Sequence, residues 1–103
     1  MPILPEKPTL AEWQDYVRRW VEERHFATDP NLVFIRFAEE VGELAKEMRK
    51  RQKLGTAAVT ESAGGELADV LFYLLDLANH FGVDLEDAAR TKLAINADRE
   101  WKY

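Results

Sequence analysis

Four carboxylates near the middle of the sequence recur in pairs at a spacing suited to metal binding. Glu40 and Glu43 lie three residues apart, and so do Glu66 and Asp69. Side chains at this spacing share one face of an α-helix, so the two carboxylates of each pair can converge. Like charges held this close repel one another, and more strongly when they are partly buried. A hard divalent cation with oxygen ligands would neutralise them, which makes the four residues candidate Mg²⁺ ligands.

The alternative is that these glutamates form an ordinary solvated helix face. Residues 46–51 include four cations that could accompany such a face. Both pairs, however, lie at the edge of apolar stripes, and if their helices run antiparallel the four carboxylates can meet. A softer metal would require histidine or cysteine ligands, whereas the chain has no cysteine and two separated histidines.

Composition sets the broad class of the protein. The chain has 103 residues, of which 47% are hydrophobic and 32% charged, and this composition is typical of a globular domain. Its net charge of −5 argues against binding a nucleic-acid polymer through phosphate contacts. No apolar run approaches the length needed to cross a membrane, and the N-terminal residues do not resemble a signal peptide. With the absence of cysteine, these features lead us to expect a cytoplasmic protein that does not bind membranes.

The periodicity of apolar residues predicts four helices and no strand, hence an all-α, bundle-like single domain. Residues 1–8 are expected to be an extended N-terminal segment, and residues 54–65 a loop of small and polar residues. The predicted helices cover about 10–25, 30–52, 61 or 65 to 81, and 84 to 99 or 101.

The third predicted helix is apolar around most of its circumference and therefore requires burial on several sides. One explanation is a homo-oligomer in which the second and third helices pair with their copies. The other is that the first helix, with its two tryptophans, covers the third within one chain.

The fourth predicted helix carries Lys92, Asn96 and Arg99 on one face, which it shares with apolar Leu85 and Ala89. The two cations and the amide could form a phosphate-binding strip, with Arg99 as a forked donor and Lys92 as a point charge. Alternatively, they could extend to solvent from the edge of a bundle or pair with acidic residues.

Three separated motifs together resemble the MazG family. They are EEVGEL at residues 39–44, ELADV at 66–70 and KLAINADR at 92–99, which match the pattern E-E-x-x-E, spacer, E-x-x-D, then K-x-x-x-N-x-x-R. The resemblance implies a four- to five-helix bundle whose core is completed by homodimerisation, as a dimer or a dimer of dimers. It also implies hydrolysis of a nucleoside triphosphate to the monophosphate and pyrophosphate, with Mg²⁺, or Mn²⁺ in its place, in nucleotide-pool house-cleaning.

The resemblance assigns roles to particular residues. Glu39 would be catalytic, holding a further ion or positioning the attacking water. Tyr73 would lie near the sugar or phosphates, and Phe26 would stack on the base. The metal ligands would be Glu40, Glu43, Glu66 and Asp69, and the phosphate contacts Lys92, Asn96 and Arg99, some of them across a subunit interface.

Two alternatives to this enzyme remain at the level of sequence. One is a non-catalytic helical dimer that acts as an interaction module. The other is a di-iron bundle, for which Glu22 and His25 supply one E-x-x-H motif where two are required. Two residues have no assigned role. Gly42 could let a neighbouring helix approach closely, and Asp76 could support the site or be a polar group at a subunit contact.

Overall fold

The computed structural model describes residues 3–26 and 29–99, and all regular structure within these ranges is α-helical. This confirms the all-α prediction. The last helix ends at Ala97, before the predicted end at residue 99 or 101, because the backbone N–H of Asp98 turns to the carbonyl of Ile95. Trp101 lies outside the described residues. The helices are α1 (Leu10–Glu23), α2 (Pro30–Leu54), α3 (Thr56–Phe81) and α4 (Leu85–Ala97).

Local capping interactions fix where three of the helices begin. The backbone N–H of Glu12 donates to Thr9 Oγ1 at 3.1 Å, and the N–H of Thr9 donates to Glu12 Oε1 at 2.9 Å, which completes a capping box. Asp29 caps α2 and Asp84 caps α4, each accepting a backbone N–H from the first turn. At the end of α3, Gly82 adopts the left-handed conformation with φ 66°, which suits a residue without a side chain.

The predicted loop at residues 54–65 is wrong, because α3 begins at Thr56 and only Gly55 separates it from α2. Packing against α2 explains the difference. Val59 is buried, and the hydroxyl of Ser62 donates to Glu47 Oε2 at 2.7 Å. These contacts with α2 offset the low helix propensity of the glycines in this segment.

Because a single residue connects them, α2 and α3 form an antiparallel hairpin. The residues that lie opposite each other can therefore be found by counting from the connection. Glu47 lies seven residues before the end of α2, and its partner Ser62 lies seven residues after Gly55. Two turns further away, Glu40 lies fourteen residues before Leu54, and Asp69 lies fourteen residues after Gly55. The hairpin therefore places the two acidic motifs opposite each other.

A buried amide ties α1 to the other end of α3. The side-chain N–H group of Gln14 donates to Asn79 Oδ1 at 3.0 Å and to the carbonyl of Val83 at 2.6 Å. Its side-chain oxygen accepts the backbone N–H of Leu85 at 3.0 Å. One residue thus fixes the positions of α1, the α3–α4 turn and the start of α4, and α4 packs mainly on α1.

Helix α1 covers only part of α3. Two rows of large apolar side chains remain exposed, each with a spacing of seven residues that places its members on one helix face. We call them the exposed stripes; the α2 stripe is Phe34, Val41 and Met48, and the α3 stripe is Leu67, Leu74 and Phe81. None of the described helices is long and apolar enough to cross a membrane.

Candidate functional site

Three carboxylates from the two acidic motifs converge where α2 and α3 face each other. Glu40, Glu66 and Asp69 each present an oxygen atom, and these atoms lie within 4.8 Å of one another. We call this group the carboxylate trio. Glu40 and Glu66 are half-buried, while Asp69 is more exposed. Among the described residues, it is the group of three acidic, histidine or cysteine side chains that lie close enough together to hold a metal ion, and it contains no histidine.

The electrostatics of the carboxylate trio favour a bound cation. Burial raises the pKa of Glu40, and a hydrogen bond with Glu66 and the negative charges of Asp69, Glu66 and Glu43 raise it further. In addition, Oε2 of Glu66 is buried and accepts no hydrogen bond from any described residue. A buried acceptor without a donor is costly, and a cation would satisfy it. Three carboxylate oxygens are the donor set that Mg²⁺ or Mn²⁺ prefers, so the residues fit such an ion.

A cavity of about 410 Å³ adjoins the carboxylate trio and is enclosed mainly by apolar side chains. Asp69 belongs to both, because it also lines the cavity. The volume lies within the range of small-molecule sites. The apolar wall combines residues of α1 and its C-terminal end with residues of α2 and α3; these are Val17, Trp20, Val21, Phe26, Val33 and Phe72.

Polar groups line the cavity at separate points. Arg36 contributes from α2, and Asp69, Tyr73 and Asp76 form one face of α3 at successive turns. Only 13% of the Asp76 side chain is exposed, and its Oδ1 lies 3.5 Å from Nε2 of His80. Burial raises the pKa of Asp76, while the nearby His80 acts in the opposite direction.

Comparison with known proteins identifies the family. A model of the MazG nucleotide pyrophosphohydrolase domain matches residues 29–100. This range includes Glu40, Glu43, Glu66 and Asp69 and the whole of α4. The chain belongs to the MazG family. Family membership makes it a nucleotide pyrophosphohydrolase, a hydrolase of acid anhydrides, and not a non-catalytic module.

Individual relatives agree with this assignment. A dATP/dGTP diphosphohydrolase of cyanophage S-2L is 37% identical over 93 residues, covering 90% of this chain and 78% of that protein. Another dATP/dGTP diphosphohydrolase, from Salmonella phage PMBT28, is 33% identical and matches 91% of this chain but only 28% of its own length. The crystal structure of the Bacillus-conserved MazG protein, a nucleotide pyrophosphohydrolase, superposes with a TM-score of 0.70 at 28% identity, covering 95% and 97% of the two chains.

Two glutamates that the MazG motif assigns to the site lie outside the carboxylate trio. Glu43 is about half-exposed, and its Oε2 lies 3.6 Å from Nζ of Lys46. Its charge nevertheless contributes to the raised pKa of Glu40. Glu39 is exposed on α2, next to Glu40 in sequence. Their roles stay predictions.

The remaining predicted site residues fall into two groups. Phe26 and Tyr73 line the cavity, as their predicted contacts with base and sugar require. Lys92, Asn96 and Arg99 are not among the residues that line it. The first two lie on α4, which packs mainly on α1 of the same chain, and Arg99 follows the end of α4. Their predicted phosphate contacts are therefore not explained by the cavity of one MazG chain alone.

Sequence reasoning missed the contribution of α1 to the cavity. Trp13, Tyr16, Val17 and Trp20 recur at helical spacing, which predicted a helix but not that Val17 and Trp20 line a cavity. The proposed close approach at Gly42 is also not found, because a Cβ atom placed there would meet no described atom within 4 Å. Within one chain, Gly42 faces open space.

Proposed function

We propose that this chain hydrolyses purine deoxynucleoside triphosphates to the monophosphate and pyrophosphate, using Mg²⁺. One observation carries the proposal: the carboxylate trio adjoins a nucleoside-sized apolar cavity, with Asp69 common to both. The purine deoxynucleotide class is supported by the two phage relatives named for dATP and dGTP. Removal of such triphosphates fits a house-cleaning role in the nucleotide pool.

The carboxylate trio would hold the ion, and Glu43 could join it by turning away from Lys46. Bound Mg²⁺, or Mn²⁺ in its place, would neutralise phosphate charge and activate water. The triphosphate would thus be anchored beside Asp69, at the end of the cavity opposite Asp76. This arrangement leaves the cavity for the nucleoside.

Glu39 is our candidate for the residue that orients the attacking water. It is exposed and adjacent to Glu40, and it is not part of the carboxylate trio. In the reaction, the oxygen of water would bond to the α-phosphorus, its proton would pass to Glu39, and the bond to the leaving pyrophosphate would break. Lys92, Asn96 and Arg99 would contact the phosphates from the partner subunit or from their own chain.

Aromatic residues of the cavity would hold the nucleoside. Phe26 contacts Trp20 edge to face, with ring centroids 5.2 Å apart, and both rings line the cavity. A base can stack on such a ring. Tyr73 lies one turn beyond Asp69 and would lie beside the sugar.

A homodimer, alone or as half of a dimer of dimers, would bury the exposed stripes. Their six side chains are large, and isolated helical hairpins seldom leave two such rows in water.

A panel of canonical and modified triphosphates, assayed with Mg²⁺ for pyrophosphate and monophosphate, tests the activity. We expect the purine deoxynucleotides to be hydrolysed fastest. Asp69→Asn should lower turnover by about 100-fold or more, whereas Asp87→Asn, an exposed carboxylate on α4, should not. Glu39→Gln should lower kcat while leaving Mg²⁺ binding intact. Pyrophosphate release from none of the triphosphates would overturn the proposal.

A further inference from the structure

Asp76 is a carboxylate that the hydrolysis described above does not use. It follows Asp69 by seven residues on the same face of α3, a separation of about 10 Å along the helix axis. That distance is comparable with the length of a nucleotide from its α-phosphate to the far edge of the base. Phosphates held at Asp69 would therefore bring the base edge to Asp76, with Tyr73 between them beside the sugar.

Among the described residues, Arg36 and Tyr73 carry donors and line the same cavity, but neither forms a hydrogen bond or ion pair with Asp76. In the hairpin, the α2 residue opposite Asp76 is Val33. Val33 lies twenty-one residues before Leu54, and Asp76 lies twenty-one residues after Gly55. The α1 residues that line the cavity there are apolar. Among the described residues, the partner recorded for its oxygens is His80, at 3.5 Å. A carboxylate in such a wall gains from any ligand that donates hydrogen bonds to it.

We propose that Asp76 reads the Watson–Crick edge of the base and selects guanine over adenine. Guanine presents two adjacent donors, the N1–H and the 2-amino group, which match the two oxygens of a carboxylate. Adenine presents one donor, its 6-amino group, beside the acceptor N1, which repels a carboxylate oxygen. A site that hydrogen-bonds a polar group of its substrate discriminates strongly against analogues without that group.

This inference rests on the proposed function, since it assumes that the cavity takes the nucleoside. It deepens that function by naming the base and the residue that selects it. Asp76 would be a specificity-determining residue, because two helical turns separate it from the carboxylate trio.

Substitution by asparagine provides the sharpest test, because an amide presents one acceptor and one donor and thus matches adenine. We expect wild-type kcat/KM for dGTP to exceed that for dATP by about tenfold or more. Asp76→Asn should move this ratio toward dATP by at least about tenfold. Glu61→Gln, an exposed carboxylate on the same helix, should leave it unchanged. A purely structural role for Asp76 would change both substrates equally and leave the ratio intact, which would overturn the inference.

Two further measurements keep the test decisive. If Asp76→Asn does not fold, the wild type still provides a test. Its hydrolysis of dITP, which keeps the N1–H but lacks the 2-amino group, should be slower than that of dGTP; equal rates would overturn the inference.

If no triphosphate is hydrolysed, the proposed function fails, but the inference about Asp76 can still be tested by binding. Calorimetric binding of dGMP and dAMP then decides the role of Asp76, since tighter binding of dGMP that is reversed in Asp76→Asn supports it, and equal binding excludes it.

Discussion

The carboxylate trio places like charges together in a partly buried position. Its convergence follows from two features of the sequence that act together. The i, i+3 spacing within each acidic motif could be recognised from the sequence alone. Glu40 and Asp69 lie at equal distances along the chain from the Leu54–Gly55 bond, which brings Glu40 opposite Asp69. That equality has meaning only once α3 is known to begin at Thr56, so the residues could be predicted but their register could not.

The raised pKa of Glu40 makes the metal-free fold less stable at neutral pH. Because the folded-state pKa lies above the ordinary value of 4.5, the folded protein binds its proton more tightly than the unfolded chain does. Below that ordinary value both states are protonated and no penalty exists, and the penalty grows as pH rises through the folded-state pKa. A cation in the carboxylate trio offsets it. We expect Mg²⁺ to raise Tm more at about pH 7 than at about pH 5, compared with EDTA at each pH.

Glu40→Gln is the control for this prediction. Removing one negative charge should raise the Tm of the metal-free protein at neutral pH and abolish most of the stabilisation by Mg²⁺. Turnover should fall by about 100-fold or more in the same variant. An Mg²⁺ effect that is independent of pH and survives in Glu40→Gln would show that the ion binds elsewhere.

At the scale of elements, short-range and long-range interactions differ in what the sequence reveals. The starts of α1, α2 and α4 depend on Thr9, Asp29 and Asp84, whose capping bonds lie within one turn and could be predicted. The first turns of α3 depend on the burial of Val59 and on the hydrogen bond of Ser62 to Glu47 of α2. Glycine-rich sequence without that contact favours a loop, so the prediction from local propensity was wrong there. The cavity could not be predicted from the sequence either, because residues from three helices line it.

Glycine substitutions test whether residues 56–65 are helical in solution. Gly64 lies within α3, and a Cβ atom placed on it meets no described atom within 4 Å. We therefore expect Gly64→Ala to raise the free energy of unfolding by about 1 kcal/mol, measured by urea denaturation. Gly82→Ala is the matched control and should be destabilising, because Gly82 has a positive φ of 66°. No stabilisation by Gly64→Ala would favour the loop that the sequence alone predicted.

At the scale of the whole molecule, one chain leaves the exposed stripes in contact with water, and Lys92, Asn96 and Arg99 are not among the residues that line its cavity. The exposed stripes occupy the same two helices that supply the carboxylate trio, so a partner that covers them would also stiffen the hairpin that holds the acidic residues. The sequence showed that α3 is apolar around most of its circumference, which left two explanations, a homo-oligomer or cover by α1 within one chain. The sequence did not show which rows of apolar side chains α1 leaves exposed. The position of α1 depends on the contacts of Gln14 with residues far away in the chain.

A charge placed in the exposed stripes should separate the proposed dimer. Burial of a large apolar side chain contributes roughly 1.5–3 kcal/mol, so six on each subunit could support stable association. A lysine in a stripe would lose this apolar contact and would have to be desolvated without a partner, which opposes association. We expect the wild type to sediment as a dimer or dimer of dimers, and Met48→Lys and Leu74→Lys to sediment as smaller species.

Leu93→Lys is the control, because it replaces an apolar residue that is 70% exposed on α4, outside both stripes. This variant should leave the assembly unchanged. Circular dichroism distinguishes dissociation from unfolding in each variant, and a wild-type protein that sediments as a monomer at assay concentrations would exclude this mode of association.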